Sequence, residues 1–343
     1  MNIVITGGGT GGHLAIARAV KEALTEAGIE PVFIGSTYGQ DRRWFEEEAG
    51  WSARYFFDTR GVVNKRGIAR FVSLWQIFRY TLESGKIFKK HDIDAVFSVG
   101  GYSAAPASFA AILFRKPLFI DEPNAVTGRL NEILKRWARA IISPYDPASS
   151  LKSIPIQSRY FQRARVRKEI KTILFLGGSQ GAKAINDFAM QIAPILKKRG
   201  VRIIHQAGER DLERVRRFYH KEGIDADLFG FSDRLDEKIE EADFTICRAG
   251  ASTLWELCAS GLPALFVPYP HAAGDHQYYN AKFLADKNLS FVVREPELGT
   301  KWIEKIFAAD IEKMSEGMRS LVHPGGAAEI ARFIIESVKG TRA

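Results

Sequence analysis

Short apolar runs alternate with longer stretches in which apolar residues recur every three or four positions, and the alternation occurs twice. In the first half, runs at 2–6, 31–35, 53–57, 94–98, 117–120 and 140–142 predict strands. Periodic stretches near 12–27, 40–49, 68–89, 102–113 and 125–137 predict the helices between them. In the second half, strands are predicted near 172–176, 202–206, 227–230, 243–247, 264–267 and 290–293. Their helices fall near 181–198, 210–221, 233–240, 251–260 and 276–286. Repeated βα units predict parallel sheets covered on both faces by helices, hence an α/β protein of two Rossmann-like, doubly wound domains. Such sheets bind ligands at the carboxyl ends of their strands, so two of them predict a central ligand cleft. The expected division is a domain over 1–150, a basic linker over 151–171 and a domain over 172–343 whose last helix is free to return to the first.

Length and composition agree with two globular domains. The chain has 343 residues, 46% hydrophobic and 26% charged, which sets aside one small module and the disordered and fibrous classes. Two cysteines, Cys247 and Cys258, make neither a disulfide framework nor a zinc-type cluster, and a reducing compartment is expected. No basic segment precedes an apolar run at Met1, so no secretory leader is expected. The uncharged run 95–114 is long enough to raise a membrane span, but Gly100-Gly101, Ser103, Pro106 and Ser108 divide it into strand, turn and helix. The net charge of +9 is concentrated in two zones. Residues 60–90 carry eight basic and one acidic residue, and 151–171 carry seven and one. Nucleic acid, anionic lipid or a phosphorylated substrate would each suit such zones.

Three predicted strands run into glycine turns: Gly7-Gly8-Gly9-Thr10-Gly11-Gly12-His13, Gly100-Gly101-Tyr102 and Gly177-Gly178-Ser179-Gln180-Gly181. Such turns bring backbone N–H groups against a phosphate at a helix N-terminus. Gly7, Gly9 and Gly12 spell G-x-G-x-x-G, but the second strand ends Ile34-Gly35-Ser36-Thr37, without the acidic residue a dinucleotide ribose requires. No G-x-x-x-x-G-K-[ST] occurs either, which removes a P-loop nucleotidase.

The most informative segment runs from Cys247-Arg248-Ala249-Gly250 through Ala251-Ser252-Thr253-Leu254-Trp255-Glu256, followed by Gly261-Leu262-Pro263 and Asp275-His276-Gln277-Tyr278-Tyr279-Asn280. A strand followed by a helix opening on Ser252 and Thr253 suits a diphosphate. Glu256, four residues after Ser252, projects near the same face and would accept two ribose hydroxyls; a surface carboxylate favoured by the helix dipole is the plainer alternative.

Together with Glu122-Pro123-Asn124, these motifs resemble the MurG family, and they span residues 7 to 280 in order. That family is the UDP-N-acetylglucosamine:lipid I N-acetylglucosaminyltransferase of peptidoglycan synthesis, which makes lipid II. The resemblance implies an inverting glycosyltransferase of GT-B architecture, with the sugar nucleotide mainly in the second domain and the lipid acceptor in the first. It assigns Glu256 to the ribose, Ser179, Ala251, Ser252 and Thr253 to the diphosphate, and the backbone near Phe231-Ser232 to uracil. Gln277, Asn280 and Asn124 would orient the sugar, while Thr10, Gly11, Gly12, His13 and Tyr102 would face the acceptor. Two positions depart from the family. Its G-N-P-V-R arginine meets Ser153-Ile154-Pro155-Ile156-Gln157-Ser158-Arg159 here, leaving Arg159 as the nearest arginine, and Pro123 stands where relatives often carry glutamine.

His13 is the candidate general base, since an imidazole titrates near neutrality; hydrogen bonding to the loop or to the acceptor diphosphate is its other role. Asp92-Ile93-Asp94 spells D-x-D but precedes a buried strand and reads as a loop. The sequence demands no cofactor and no bound metal, and leaves room for stimulation by a divalent cation. Expected partners are UDP-N-acetylglucosamine, lipid I and an anionic membrane surface, with cell-wall synthesis proteins also in view. A nucleic-acid partner is not expected, because no recognition motif accompanies the charge. A GT-B enzyme with another lipid or small-molecule acceptor is the alternative. Ile68, Phe71, Val72, Trp75 and Phe78 recur at helical spacing among Lys65, Arg66, Arg70 and Arg79. That pattern predicts either core packing or peripheral docking on an anionic membrane, which the resemblance implies is the cytoplasmic face of the bacterial inner membrane.

Overall fold

The computed structural model describes residues 1–61, 67–178 and 181–342, with the backbone alone for 68–70, 341 and 342. Chain contacts divide it into two units, Met1–Gln157 with Gly325–Ala343, and Ser158–Pro324. The first unit runs β1 (Ile3–Thr6), α1 (Gly11–Glu26), β2 (Val32–Ser36), α2 (Asp41–Phe45), β3 (Ala53–Phe57), α3 (Gly67–Lys90), β4 (Ala95–Ser98), α4 (Ala105–Leu113), β5 (Leu118–Asp121), α5 (Arg129–Leu134) and β6 (Ala140–Ile142). The second runs α6 (Ser158–Gln162), β7 (Thr172–Leu176), α7 (Lys183–Lys198), β8 (Arg202–Gln206), α8 (Leu212–Lys221), β9 (Ala226–Phe229), α9 (Leu235–Glu241), β10 (Phe244–Cys247), α10 (Ala251–Ser260), β11 (Ala264–Phe266), α11 (His276–Ala285), β12 (Phe291–Val292), α12 (Lys301–Phe307) and α13 (Ile311–Arg319). The chain then returns to the first unit as α14 (Gly326–Arg342).

Both sheets are parallel, ordered β3-β2-β1-β4-β5-β6 and β12-β11-β10-β7-β8-β9. Counted within its own unit, each has the strand order 3-2-1-4-5-6 of a doubly wound Rossmann sheet. Side chains alternate across the first sheet. Ile3, Ile5, Phe33, Phe97 and Phe119 join Leu14 of α1 and Ile330 and Ile334 of α14 on one face. Val4, Val32, Ile34, Val96 and Ile120 join Phe88 of α3 and Ala107 and Ala111 of α4 on the other. Burial on both faces is why these strands read as unbroken apolar runs. In the second unit Ile173, Phe175, Ile203, Phe244, Ile246 and Leu265 pack with Ile185, Phe188 and Ile192 of α7.

Three stretches differ from the sequence reading. The helix expected over 40–49 ends at Phe45, and the one over 125–137 begins only at Arg129. In the latter case the backbone N–H groups of Asn124 and Gly128 bond to the Glu122 side chain and hold 122–128 as a loop. The stretch 151–171, read from its charge as a linker, is divided between the units. Its arginines serve the second unit internally. Arg163 pairs with Asp236 at 2.9 Å and Glu240 at 2.5 Å, and Arg165 with Asp243 at 2.7 Å. Arg167 is fully buried and donates to the carbonyls of Ile239 at 2.7 Å, Ala242 at 3.1 Å and Ser260. Those carbonyls close α9 and α10, so this guanidinium supplies donors that two helix ends lack. Burial lowers its pKa to about 9.

Candidate active site

Strand order places a switch point between β1 and β4 in one sheet and between β7 and β10 in the other, and the glycine turns lie at the carboxyl ends of those strands. In the first unit the turns after β1 and β4 meet directly, with the Gly8 N–H donating to the Gly100 carbonyl at 3.2 Å. Gly9 has φ +82°, and a Cβ there would stand 2.6 Å from Cε1 of Tyr102, so glycine alone lets the ring lie on the loop. Asp41 of α2 ties the loop down: Oδ1 accepts the Gly9 N–H at 2.5 Å and Oδ2 that of Ser36 at 2.8 Å. Burial raises the Asp41 carboxyl's pKa, opposed by those two donors. Tyr102 is raised too, by burial first and then by the Asp41 charge.

Thr10 precedes α1, and its Oγ1 lies 3.0 Å from Nδ1 of His13. Nε2 of His13 lies 3.7 Å from where a Cβ on Gly100 would sit. Thr10, Gly11, Gly12, His13 and Tyr102 therefore gather at one corner of the sheet. Asn124 lies after β5 in the same unit, its side chain donating to Glu122 at 3.1 Å. Asp41 had no sequence signal, because its link to Gly9 spans 32 residues.

In the second unit β10 turns through Arg248-Ala249-Gly250 into α10. Arg248 donates to the Val267 carbonyl at 3.0 Å and pairs with Glu295 at 2.5 Å, fixing the turn. Ala251, Ser252 and Thr253 form the first turn of α10, where backbone donors point outward. Glu256 is only 8% exposed, unlike the surface carboxylate of the plainer reading. Its Oε1 accepts from Ser252 Oγ at 2.8 Å. Burial raises its pKa, while the bonds from Ser252 and the Tyr160 hydroxyl and the charge of Arg159 pull it down. Tyr160 and Arg159 come from α6, so Arg159 reaches this site electrostatically while its Nη1 lies 3.5 Å from Asp236.

Asn280 is fully buried and donates to the Ala249 carbonyl at 3.2 Å; it shapes the turn before α10. Gln277 Oε1 accepts the Tyr269 N–H at 3.0 Å, and Ser232 Oγ accepts that of Arg234 at 3.1 Å. Ser179, assigned to the diphosphate, and the side chain of Arg70 lie outside the described residues. On α3, Phe71, Trp75 and Phe78 are 71%, 59% and 53% exposed, so they are not core, and Arg79 is exposed among them. No helix among the described residues is long and apolar enough to cross a membrane.

Two parallel Rossmann-ordered sheets, each with glycine turns at its switch point, define a two-domain GT-B glycosyltransferase. The glycosyltransferase family 28 N-terminal domain matches residues 3–143 and the family 28 C-terminal domain matches 172–321. A Wolinella succinogenes protein named UDP-N-acetylglucosamine--N-acetylmuramyl-(pentapeptide) pyrophosphoryl-undecaprenol N-acetylglucosamine transferase is 52% identical over 98% of this chain and 100% of its own length. A Sulfurovum protein of the same name is 52% identical over 97% of this chain and 98% of its own. The crystal structure of Acinetobacter baumannii MurG superposes with a TM-score of 0.77 at 29% identity, covering 98% of this chain and 99% of that one. The chain belongs to glycosyltransferase family 28, and within it to the MurG family.

Proposed function

We propose that the chain transfers N-acetylglucosamine from UDP-N-acetylglucosamine to the muramoyl sugar of undecaprenyl-pyrophosphoryl-MurNAc-pentapeptide (lipid I), with inversion, forming lipid II for peptidoglycan synthesis. The observation that carries this reading is the 52% identity, over 98% of the chain, to a relative named for that transfer. In the reaction the acceptor hydroxyl attacks the anomeric carbon, the bond to UDP breaks, and the hydroxyl proton goes to a base. His13 is that base. Nδ1 lies 3.0 Å from Thr10 Oγ1, and in the tautomer that donates there Nε2 is the basic nitrogen. Gly11, Gly12 and Tyr102 face the acceptor. The N-terminus of α10, with Ser252 and Thr253, meets the departing diphosphate and stabilises its charge. Glu256 accepts the ribose hydroxyls: a carboxylate offers about four lone-pair sites, and Ser252 and Tyr160 take one each. Backbone at Phe231-Ser232 receives uracil, Gln277 and Asn124 orient the sugar, and Asn280 acts through the Ala249 turn. The polyprenyl tail stays in the bilayer, so the enzyme works peripherally on the cytoplasmic face of the inner membrane, seated by the apolar and basic surface of α3.

The test is transfer to a lipid I analogue across a panel of UDP-sugars. Only UDP-N-acetylglucosamine should support fast turnover. Glu256→Ala should raise the donor KM by roughly 10- to 100-fold, the loss of charged hydrogen bonds. His13→Ala should lower kcat about 100-fold with donor binding intact. Transfer to another acceptor in preference to lipid I would overturn the assignment.

A further inference from the structure

We propose that Glu122 is a positioning residue of the transfer site, whose carboxylate fixes the 122–128 loop, the Asn124 side chain and that of Asn131 through four hydrogen bonds. This rests on the function proposed above. Glu122 directly follows β5 and is buried. Its Oε1 accepts from the backbone N–H and from Nδ2 of Asn124, both at 3.1 Å. Oε2 accepts from the Gly128 N–H at 2.7 Å and from Nδ2 of Asn131 at 2.9 Å. All four partners are donors, and none of them is a cation. Only an ionised carboxylate satisfies four donors at once; an amide would turn an NH2 group against two of them.

The neighbouring Asp121 strengthens the case. It is buried too, and burial, followed by the Glu122 charge, pushes its carboxyl well above the usual range. The four donors converge on Glu122 rather than on Asp121. The arrangement also reaches the candidate base within the same unit. Asn131 donates to the Asp121 carbonyl at 3.2 Å, and its Nδ2 lies 3.4 Å from where a Cβ on Gly100 would sit, the point from which His13 Nε2 is 3.7 Å away. One carboxylate thus sets the loop that carries Asn124 and the side chain that backs the Gly100 turn.

The test is a double-mutant cycle on the full chain, reading kcat and KM for transfer from UDP-N-acetylglucosamine to a lipid I analogue, with thermal unfolding alongside. Glu122→Gln should lower kcat/KM by about 100-fold, as expected when a positioning contact moves by an ångström. Asn124→Ala should cost a comparable factor alone and little more when added to Glu122→Gln, because the side chain is already displaced. Glu122→Asp, which keeps the charge, should recover part of the rate. A folded Glu122→Gln variant with unchanged kinetics, or losses that multiply independently, would overturn the proposal. Should Glu122→Gln fail to fold, Asn131→Ala is read in its place: a several-fold loss coupled to Asn124→Ala supports the role, and independence overturns it. A wild type that makes no transfer from this donor to this acceptor overturns the function itself; a competent wild type with uncoupled variants overturns the positioning role alone.

Discussion

A carboxylate that is to hold two ribose hydroxyls must be buried enough to exclude water and still remain ionised. At Glu256 these demands conflict, since burial raises its pKa. Ser252 and Tyr160 offset that cost with hydrogen bonds to the charged form. Tyr160→Phe should therefore raise the Glu256 pKa further. On the proposed ribose role donor binding needs the carboxylate, so it should weaken as pH falls through that pKa, and the variant should lose affinity at a higher pH than wild type. Donor KM measured between pH 5 and 8 reads the shift, and superimposable profiles would show that the phenol does not act on Glu256. Glu256 was legible in the sequence because Ser252 and Glu256 are one helical turn apart. Tyr160 and Asp41 were not, because each acts on a partner that only the folded chain brings near, and the bonds of Glu122, although local, depend on a loop conformation that no periodicity marks.

Whole elements were legible where a face is apolar and obscure where polar contacts decide. The strands and the long helices follow their hydrophobic pattern, whereas α5 is short because a side chain competes for its backbone donors. On α3 periodicity revealed a stripe without its direction. Over 71–84 the structure has Ser73, Thr81 and Ser84 buried and Phe71, Trp75, Phe78 and Leu82 exposed, the reverse of a helix lying on its own core, and only the end of α3, at Ile87 and Phe88, packs into it. Gly85 is a related case. A Cβ there would collide with the Phe114 ring, so the residue that weakens helix propensity is what lets α3 and α4 approach. Phe114, 43% exposed, extends the apolar surface from α3 onto the end of α4, where Arg115 follows. Trp75→Ser with Arg79→Glu should reduce co-sedimentation with anionic vesicles, since aromatic insertion is lost and each basic residue adds about 1 kcal/mol near such a surface. Neutral vesicles should retain less of the wild type. A folded variant that sediments like wild type would place the docking surface elsewhere.

On the scale of the molecule, the second unit should lose stability in acid. His205 is buried between Tyr219, whose hydroxyl is 2.8 Å from Nδ1, and Asn186, whose Oδ1 is 3.0 Å from Nε2. Burial lowers its pKa to about 3. The unfolded chain takes up this proton below about pH 6.5 and the folded chain does not, so stability is lost as pH falls from there, by about 1.4 kcal/mol per unit. Urea unfolding from pH 7 to 5 should show that slope, reduced in His205→Asn; equal slopes would remove His205 as its source.

The division into two repeats was visible in the sequence, but the return of α14 to the first sheet depends on contacts between α1 and α14, more than 300 residues apart. That return has a temporal consequence. On the ribosome the apolar face of α1 waits, its groove without Ile330, Ile334 and Val338, while every residue of the second unit is synthesised. The last piece of the first unit emerges after the second unit is already complete, so the part of the protein that begins first is the part that finishes last.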